Sequence, residues 1–132
     1  MIHGIGVDLV NINRMERVIR RWGDRFTGRV FTIEEAGKCF RRATPYPAFA
    51  LRFAAKEAFS KALGSGMARG LKGTEIEVVN DQGGKPGLKL YGTSFEICHK
   101  NGITGIYLSL SDDGQYGVAM VILECNGGKS SC

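Results

Sequence analysis

The feature that most constrains this fold is a turn near the end of the chain, with alternating apolar residues on both sides. Alternate residues from Ile106 to Leu110 are apolar ahead of Asp112-Asp113-Gly114, and the stretch Tyr116–Leu123 follows. An Asp-Gly pair between two such stretches is typical of a β-hairpin. We therefore predict an antiparallel hairpin with a loop of three or four residues, so the chain must contain an antiparallel sheet.

Helix and strand signals surround that hairpin. Capping boxes, in which a polar side chain and a Glu three residues later satisfy the first amides of a helix, are predicted at Asn13–Glu16, Thr32–Glu35 and Thr93–Glu96. A long helix is predicted from Ala48 to the glycines that begin at Gly64. Further strands are predicted over Ile2–Leu9, Thr74–Val79 and Leu88–Tyr91. These elements indicate an α+β fold with helices packed on a mostly antiparallel sheet.

The size and composition of the chain are those of one globular domain. The chain has 132 residues, of which 43% are hydrophobic and 23% charged. We assign the domain to residues 1–124 and expect residues 125–132 to form a disordered tail. The four cysteines show neither zinc spacing nor a disulfide framework, and the sequence has no apolar run long enough for a membrane span. These features predict a cytoplasmic protein.

Positive charge is concentrated at the start of the chain. Residues 1–52 contain ten Lys and Arg against five Asp and Glu, which accounts for the whole net charge of +5. Arg14, Arg17 and Arg21 share one face of the first predicted helix, opposite an apolar stripe that includes Met15 and Trp22. This arginine face could be a solubilising surface, or it could bind an anionic partner.

The long predicted helix also has a polar face, formed by Arg52, Lys56, Glu57, Ser60 and Lys61. One interpretation is a solvated surface with a single Glu57–Lys61 ion pair. The other is an anion site, in which amides of Gly64-Ser65-Gly66 bind a phosphate with help from Lys56 and Lys61. The lysines are needed because a helix C-terminus by itself repels anions.

Asp8 lies at the end of the first apolar strand. A carboxylate there could simply cap a turn, or it could hold a hard cation together with substrate phosphates. Asp8 and Glu57 can approach each other only through the fold, and their sequence positions leave that open.

Taken together, four segments resemble the short bacterial 4′-phosphopantetheinyl transferases, the holo-acyl-carrier-protein synthase family. The resemblance runs from Met1 to about Glu124, with the motifs in the family's order. The four segments are Gly4-Ile5-Gly6-Val7-Asp8, Arg52-Phe53-Ala54-Ala55-Lys56-Glu57-Ala58, Lys61-Ala62-Leu63-Gly64-Ser65-Gly66 and Gly84-Lys85-Pro86.

The resemblance implies transfer of the phosphopantetheine arm of coenzyme A to a serine of apo acyl carrier protein, in fatty acid biosynthesis. It implies that Asp8 and Glu57 bind Mg²⁺ and that Glu57 and Lys61 are catalytic. It also implies a homotrimer with active sites between subunits, and no nucleic-acid or membrane partner. By the same resemblance, Arg14, Arg21 and Arg25 dock the acidic carrier protein, and the coenzyme A pocket is formed by Arg52, Lys61, Gly64, Ser65, Gly66, Gly84, Lys85 and Pro86.

One position departs from the family pattern. Many relatives have a histidine after the Ser-x-Ser of the hairpin strand, whereas this chain has Asp112 after Ser109-Leu110-Ser111. A carboxylate lacks the near-neutral pKa of an imidazole, which leaves the identity of any general base open. Two other functions remain as alternatives, a nucleic-acid-binding module suggested by the isoelectric point of about 9.2 and an adaptor domain.

Overall fold

A computed structural model describes residues 1–64 and 70–126. Strands and helices follow each other in the order βααααββαββ, and a short 3₁₀ turn over Gly73–Glu75 precedes the second strand. The bounds are β1 (Ile2–Asn11), α1 (Ile12–Trp22), α2 (Asp24–Val30), α3 (Ile33–Phe40), α4 (Tyr46–Leu63), β2 (Ile76–Asn80), β3 (Pro86–Leu90), α5 (Gly92–Lys100), β4 (Ile103–Asp113) and β5 (Tyr116–Cys125).

The strands form two antiparallel sheets, which confirms the predicted α+β class. The larger sheet has the order β1-β5-β4, and β2 pairs with β3 in a separate ribbon. The predicted terminal hairpin is β4–β5, but its loop is shorter than expected. Asp113 pairs directly with Tyr116, which leaves only Gly114 and Gln115 in the turn. Gly114 has φ 60°, the left-handed conformation that two-residue hairpin turns favour.

Helix α4 packs along one face of the larger sheet, and two glycines of β1 make this contact very close. A Cβ added to Gly4 would lie 1.9 Å from the Ala62 carbonyl oxygen, and one added to Gly6 would lie 1.9 Å from the Ala58 oxygen. Only glycine allows a strand backbone to approach a helix backbone this closely. The Gly-Ile-Gly sequence therefore brings Asp8, two residues further along β1, beside α4.

The local signals predicted helix starts with mixed success. The Thr32–Glu35 capping box is present, with both reciprocal hydrogen bonds. The Asn13 box was wrong, because Asn11 is the N-cap and its side chain accepts a hydrogen bond from the Arg14 amide. The Thr93 box was also wrong, since α5 begins at Gly92 after Tyr91 without a side-chain cap.

Other predicted boundaries differ by a few residues. Helix α4 begins at Tyr46, two residues earlier than expected, because a proline in the first turn of a helix lacks only an amide that has no partner there. Strand β2 begins at Ile76, and β5 extends to Cys125, one residue beyond the assigned domain. Residues 127–132 lie outside the described residues, so the disordered tail stays a prediction. In the described ranges, no helix combines the length and the apolar content needed to cross a bilayer.

Replacing Gly6 with alanine is expected to destabilise the protein severely. The new methyl group would overlap backbone atoms of α4, so the strand and the helix must separate. Overpacking of this kind costs about 3 kcal/mol or more when backbone has to move. We expect the melting temperature to fall by roughly 10 °C, measured by circular dichroism.

Gly37 provides the matched control. It lies in α3, and an added Cβ would meet no atom within 4 Å. Gly37→Ala should leave the melting temperature unchanged or raise it, because alanine is the better helix former. Equal melting temperatures for the two variants would contradict the close contact between β1 and α4.

Candidate active site

Asp8 and Glu57 line the same cavity, although they are 49 positions apart in the sequence. Asp8 comes from β1 and Glu57 from α4, and the cavity between them has a volume of about 400 Å³. Arg14 of α1 lines the same space, and apolar side chains that include Phe26 and Phe53 form much of the remaining wall. The fold therefore brings together the two carboxylates that the sequence could not place side by side.

Lys61 binds Asp8 rather than Glu57. Its Nζ donates to Asp8 Oδ1 at 2.9 Å and to the Val7 carbonyl oxygen at 3.1 Å. The prediction of a Glu57–Lys61 ion pair is therefore wrong. Among the described residues, the carboxylate that Lys61 binds is that of Asp8. The Lys61 side chain is still 53% exposed, so its ammonium group remains accessible to a substrate phosphate.

The electrostatics of the cavity suit a cation. Burial raises the pKa of the Glu57 carboxyl, the Asp8 carboxylate raises it further, and Lys61 acts in the opposite direction. The ionised form of Glu57 is therefore disfavoured, and a divalent cation bound beside it would stabilise that form. Within residues 1–64 and 70–126, no group of three or more His, Cys, Asp and Glu could hold a metal. Two carboxylates fit Mg²⁺, which keeps several waters and commonly shares substrate phosphates.

Lys56 is not available to a phosphate, contrary to the sequence interpretation. It is 1% exposed, and its Nζ donates to Glu35 Oε1 at 2.8 Å and to the Gly73 carbonyl oxygen at 2.8 Å. Ser60 is fully buried as well. The face of α4 that looks polar in the sequence is therefore largely internal, which also rules out a simple solvated surface.

A second cavity gathers several residues expected to bind coenzyme A. Arg52, Gly84 and Pro86 line a space of about 250 Å³ together with Arg42 and Asp112. Arg52 is 7% exposed, and its Nη1 donates to the Ala48 carbonyl oxygen at 3.3 Å. Its Nε has no hydrogen-bond partner among the described residues, so a buried guanidinium edge is left for a ligand.

The remaining residues of the predicted coenzyme A pocket lie elsewhere. Gly64 is the left-handed C-cap of α4, with φ 95°. Lys85 is exposed in the turn between β2 and β3, outside the residues that line the second cavity. Ser65 and Gly66 lie outside the described residues. Arg42 was missed by the sequence argument, although it belongs to the Arg41-Arg42 pair at the end of α3.

The predicted carrier-docking arginines are distributed over two helices. Arg14 and Arg21 are exposed on α1, but Arg25 belongs to α2, which starts after a turn at Gly23. Trp22 is 47% exposed, so its predicted place in the apolar stripe is wrong, and Ile12, Met15 and Ile19 form the buried side instead. The Arg21 guanidinium lies 5.1 Å from the centre of the Trp22 ring. Arginines and an exposed aromatic ring thus share one surface.

Known proteins resemble this chain over nearly its full length. The sequence model of the 4′-phosphopantetheinyl transferase superfamily matches residues 4–121. A holo-[acyl-carrier-protein] synthase of Syntrophus aciditrophicus (strain SB) is 46% identical over 124 residues, which cover 94% of this chain and 97% of that protein.

Solved structures give the same relationship. The crystal structure of holo-[acyl-carrier-protein] synthase from Neisseria meningitidis has a TM-score of 0.88 and 35% identity, covering 94% of this chain and 99% of that one. A synthase from Bacillus anthracis, solved in complex with CoA (3′,5′-ADP), has a TM-score of 0.79 and 34% identity, covering 96% of this chain and 99% of that one. This chain therefore belongs to the 4′-phosphopantetheinyl transferase superfamily and, within it, to the holo-[acyl-carrier-protein] synthase family.

Proposed function

We propose that this protein transfers the 4′-phosphopantetheine arm of coenzyme A to a serine of apo acyl carrier protein, releasing adenosine 3′,5′-bisphosphate. The observation that carries the proposal is the cavity that Asp8 and Glu57 both line, with Lys61 bound to Asp8. Transfer of a phosphoryl-type group depends on positioning and charge neutralisation more than on covalent catalysis. These residues can provide both.

The carboxylates of Asp8 and Glu57 would hold Mg²⁺, and Lys61 would neutralise a phosphate oxygen next to it. When bound, the ion would polarise the substrate phosphate and lower the pKa of a coordinated water or hydroxyl. Glu57, whose pKa is raised by burial and by Asp8, is the carboxylate better suited to accept the serine proton. Within one protomer, Asp112 lines the second cavity and not the one that Glu57 lines.

The second cavity suits the nucleotide end of coenzyme A. That end carries a phosphate on the ribose, and Arg42 and Arg52 lie where they could bind an anion. The unpartnered Nε of Arg52 would gain a hydrogen-bond acceptor on binding. Gly84 and Pro86 would provide a part of the wall without long side chains.

We further propose that three copies of the chain assemble so that adjacent subunits complete each site. The two cavities share no lining residue in the described part of the chain, and they lie at opposite edge strands of the larger sheet, β1 and β4. The sheet face turned away from α4 is apolar and uncovered, with Ile5, Val7, Leu9, Tyr107 and Met120 each more than two-fifths exposed. A closed ring would cover this face and bring one subunit's metal cavity to its neighbour's nucleotide cavity.

The arginine surface is proposed to dock the carrier protein. Arg21→Glu with Arg25→Glu, which leaves the cavity-lining Arg14 unchanged, should raise the KM for an acidic carrier at least about tenfold, because rim charges steer association. The KM for coenzyme A should hardly change, since its nucleotide cavity lies elsewhere. The wild-type KM for the carrier should rise with NaCl, whereas that of the double variant should not.

A matched reversal of two lysines controls for net charge. Lys89 and Lys100 are exposed on β3 and α5, so Lys89→Glu with Lys100→Glu makes the same change in charge away from α1. This control should leave both KM values near those of the wild type. If both double variants raise the KM for the carrier equally, the effect comes from net charge alone, and the proposed arginine docking surface is contradicted.

The transfer itself is tested by its small product. Coenzyme A, Mg²⁺ and apo carrier protein are incubated with the protein, and nucleotides are separated by chromatography. Adenosine 3′,5′-bisphosphate should appear with the apo carrier and be absent when the carrier's serine is replaced by alanine. Product formation without any carrier would instead indicate a coenzyme A hydrolase.

We propose that this reaction takes place in the cytoplasm and serves fatty acid biosynthesis.

A further inference from the structure

Lys56 and Glu35 form an ion pair in the interior of the protein. Each side chain is 1% exposed, and Lys56 Nζ lies 2.8 Å from Glu35 Oε1. Removing two charges from water is costly, and well-packed apolar residues often stabilise a core equally well or better. Stability alone is therefore a weak explanation for this pair.

The pair links four separate segments of the chain. Lys56, on α4, also donates to the carbonyl oxygens of Gly73 and Ile76, so all three of its ammonium protons are used. Glu35, on α3, accepts from the Thr32 amide at 2.9 Å through Oε1 and from the Val78 amide at 2.8 Å through Oε2. Helix α4 is thereby attached to α3, to the 3₁₀ turn and to β2 by directional bonds.

These hydrogen bonds hold Lys56, the residue that directly precedes Glu57 on α4. The opposite side of α4 rests on the glycines of β1, and the hydrogen bonds described between α4 and β1 side chains and carbonyls come from the flexible, half-exposed Lys61. A rotation of α4 by about 10° would move a carboxylate about 6 Å from the helix axis by roughly 1 Å. An error of that size in an active site can reduce a rate by about a hundredfold.

We infer that the buried Lys56–Glu35 pair is a positioning device that sets the rotation of α4 so that Glu57 faces Asp8. Lys56 and Glu57 both line a cavity of about 290 Å³ between α4 and the segment at Leu71–Gly73. The anchored residue and the functional carboxylate are thus neighbours on one helix. This inference rests on the proposed function, because it assigns a consequence to the separation of Asp8 and Glu57.

The test separates stability from positioning. Lys56→Met should lower the melting temperature, because Glu35 is left as an unpaired buried charge. Lys56→Met combined with Glu35→Leu removes both charges and should recover most of that loss. If the pair positions Glu57, kcat and the Mn²⁺ affinity measured by electron paramagnetic resonance should stay roughly ten- to a hundredfold lower in the double variant. The KM for carrier protein should not change.

Two more variants complete the design. Glu35→Asp keeps both charges but shortens the reach by one methylene, so it should fold and still lose kcat and Mn²⁺ affinity. Ser94→Ala, in α5, removes a buried hydroxyl that lies 2.7 Å from the Glu75 carbonyl oxygen, and controls for a destabilising change away from α4. It should lower the melting temperature without changing kcat.

Recovery of melting temperature, kcat and Mn²⁺ affinity together in the double variant would overturn the inference, as would a Glu35→Asp variant that is less stable but fully active. The unaltered protein is measured in the same assays. If it neither binds Mn²⁺ nor transfers the arm, the proposed function fails. If it does both and the double variant equals it, only the positioning role fails.

Discussion

Replacing Asp8 or Glu57 with alanine is expected to abolish transfer while the protein stays folded. Both carboxylates line the proposed metal cavity, and charge stabilisation by a bound ion is worth several kcal/mol. We therefore expect kcat/KM to fall by roughly a thousandfold or more, with an unchanged far-UV circular dichroism spectrum. EDTA should abolish the activity of the unaltered protein, and added Mg²⁺ should restore it.

Glu57→Gln adds a readout that does not depend on activity. Because burial and the Asp8 charge raise the pKa of Glu57 in the folded protein, its ionised form destabilises the fold. A neutral glutamine should therefore raise the melting temperature at neutral pH. The gain should disappear at low pH, where the glutamate is protonated in both the folded and unfolded states. Glu96→Ala changes an exposed glutamate on α5 and should alter neither the transfer activity nor the melting temperature.

Full turnover by the Asp8→Ala variant, or by the unaltered protein in EDTA, would contradict the proposed metal site.

Mixing two inactive variants should restore activity if adjacent subunits complete each site. Asp8→Ala damages the metal cavity, and Arg42→Glu reverses a charge at the nucleotide cavity. In a cyclic trimer formed at random from equal amounts, about three-quarters of the assemblies contain both variants, and each has one intact site among its three. Co-refolded material should therefore show about a quarter of the wild-type activity, with three times the protomer mass by light scattering.

Two controls make the mixing experiment specific. Asp8→Ala mixed with Glu57→Ala damages the same cavity twice and should remain inactive. The two complementary variants mixed without refolding should regain activity only as fast as subunits exchange. A fully active monomer, or complementary variants that stay inactive in proven mixed trimers, would contradict the shared site.

Local signals in the sequence predicted much of the fold because they depend on neighbouring residues. The Thr32–Glu35 capping box is an exchange of hydrogen bonds within one turn, and it formed as predicted. The prediction that Asn13 caps α1 was wrong, because Asn11, the last residue of β1, caps the helix instead. The hairpin was predictable from alternation, but its two-residue loop depends on the register between β4 and β5.

The active site was less predictable because it depends on distant contacts. Lys56 looked like a surface lysine, since no local pattern indicates that Glu35 and two carbonyl groups surround it in the core. The approach of Asp8 to Glu57 depends on Gly4 and Gly6, whose meaning appears only when α4 lies on them. The family resemblance supplied Asp8 and Glu57, which line one cavity, but not Arg42 or the burial of Lys56.

The most direct test of this account is the intact mass of an acyl carrier protein after reaction. Apo carrier is incubated with coenzyme A, Mg²⁺ and catalytic amounts of the protein, and then analysed by mass spectrometry. The account predicts that every carrier molecule gains the mass of one phosphopantetheine arm on its serine, and that Glu57→Ala leaves the carrier unmodified. A carrier whose mass does not change with the unaltered, folded protein would contradict the account.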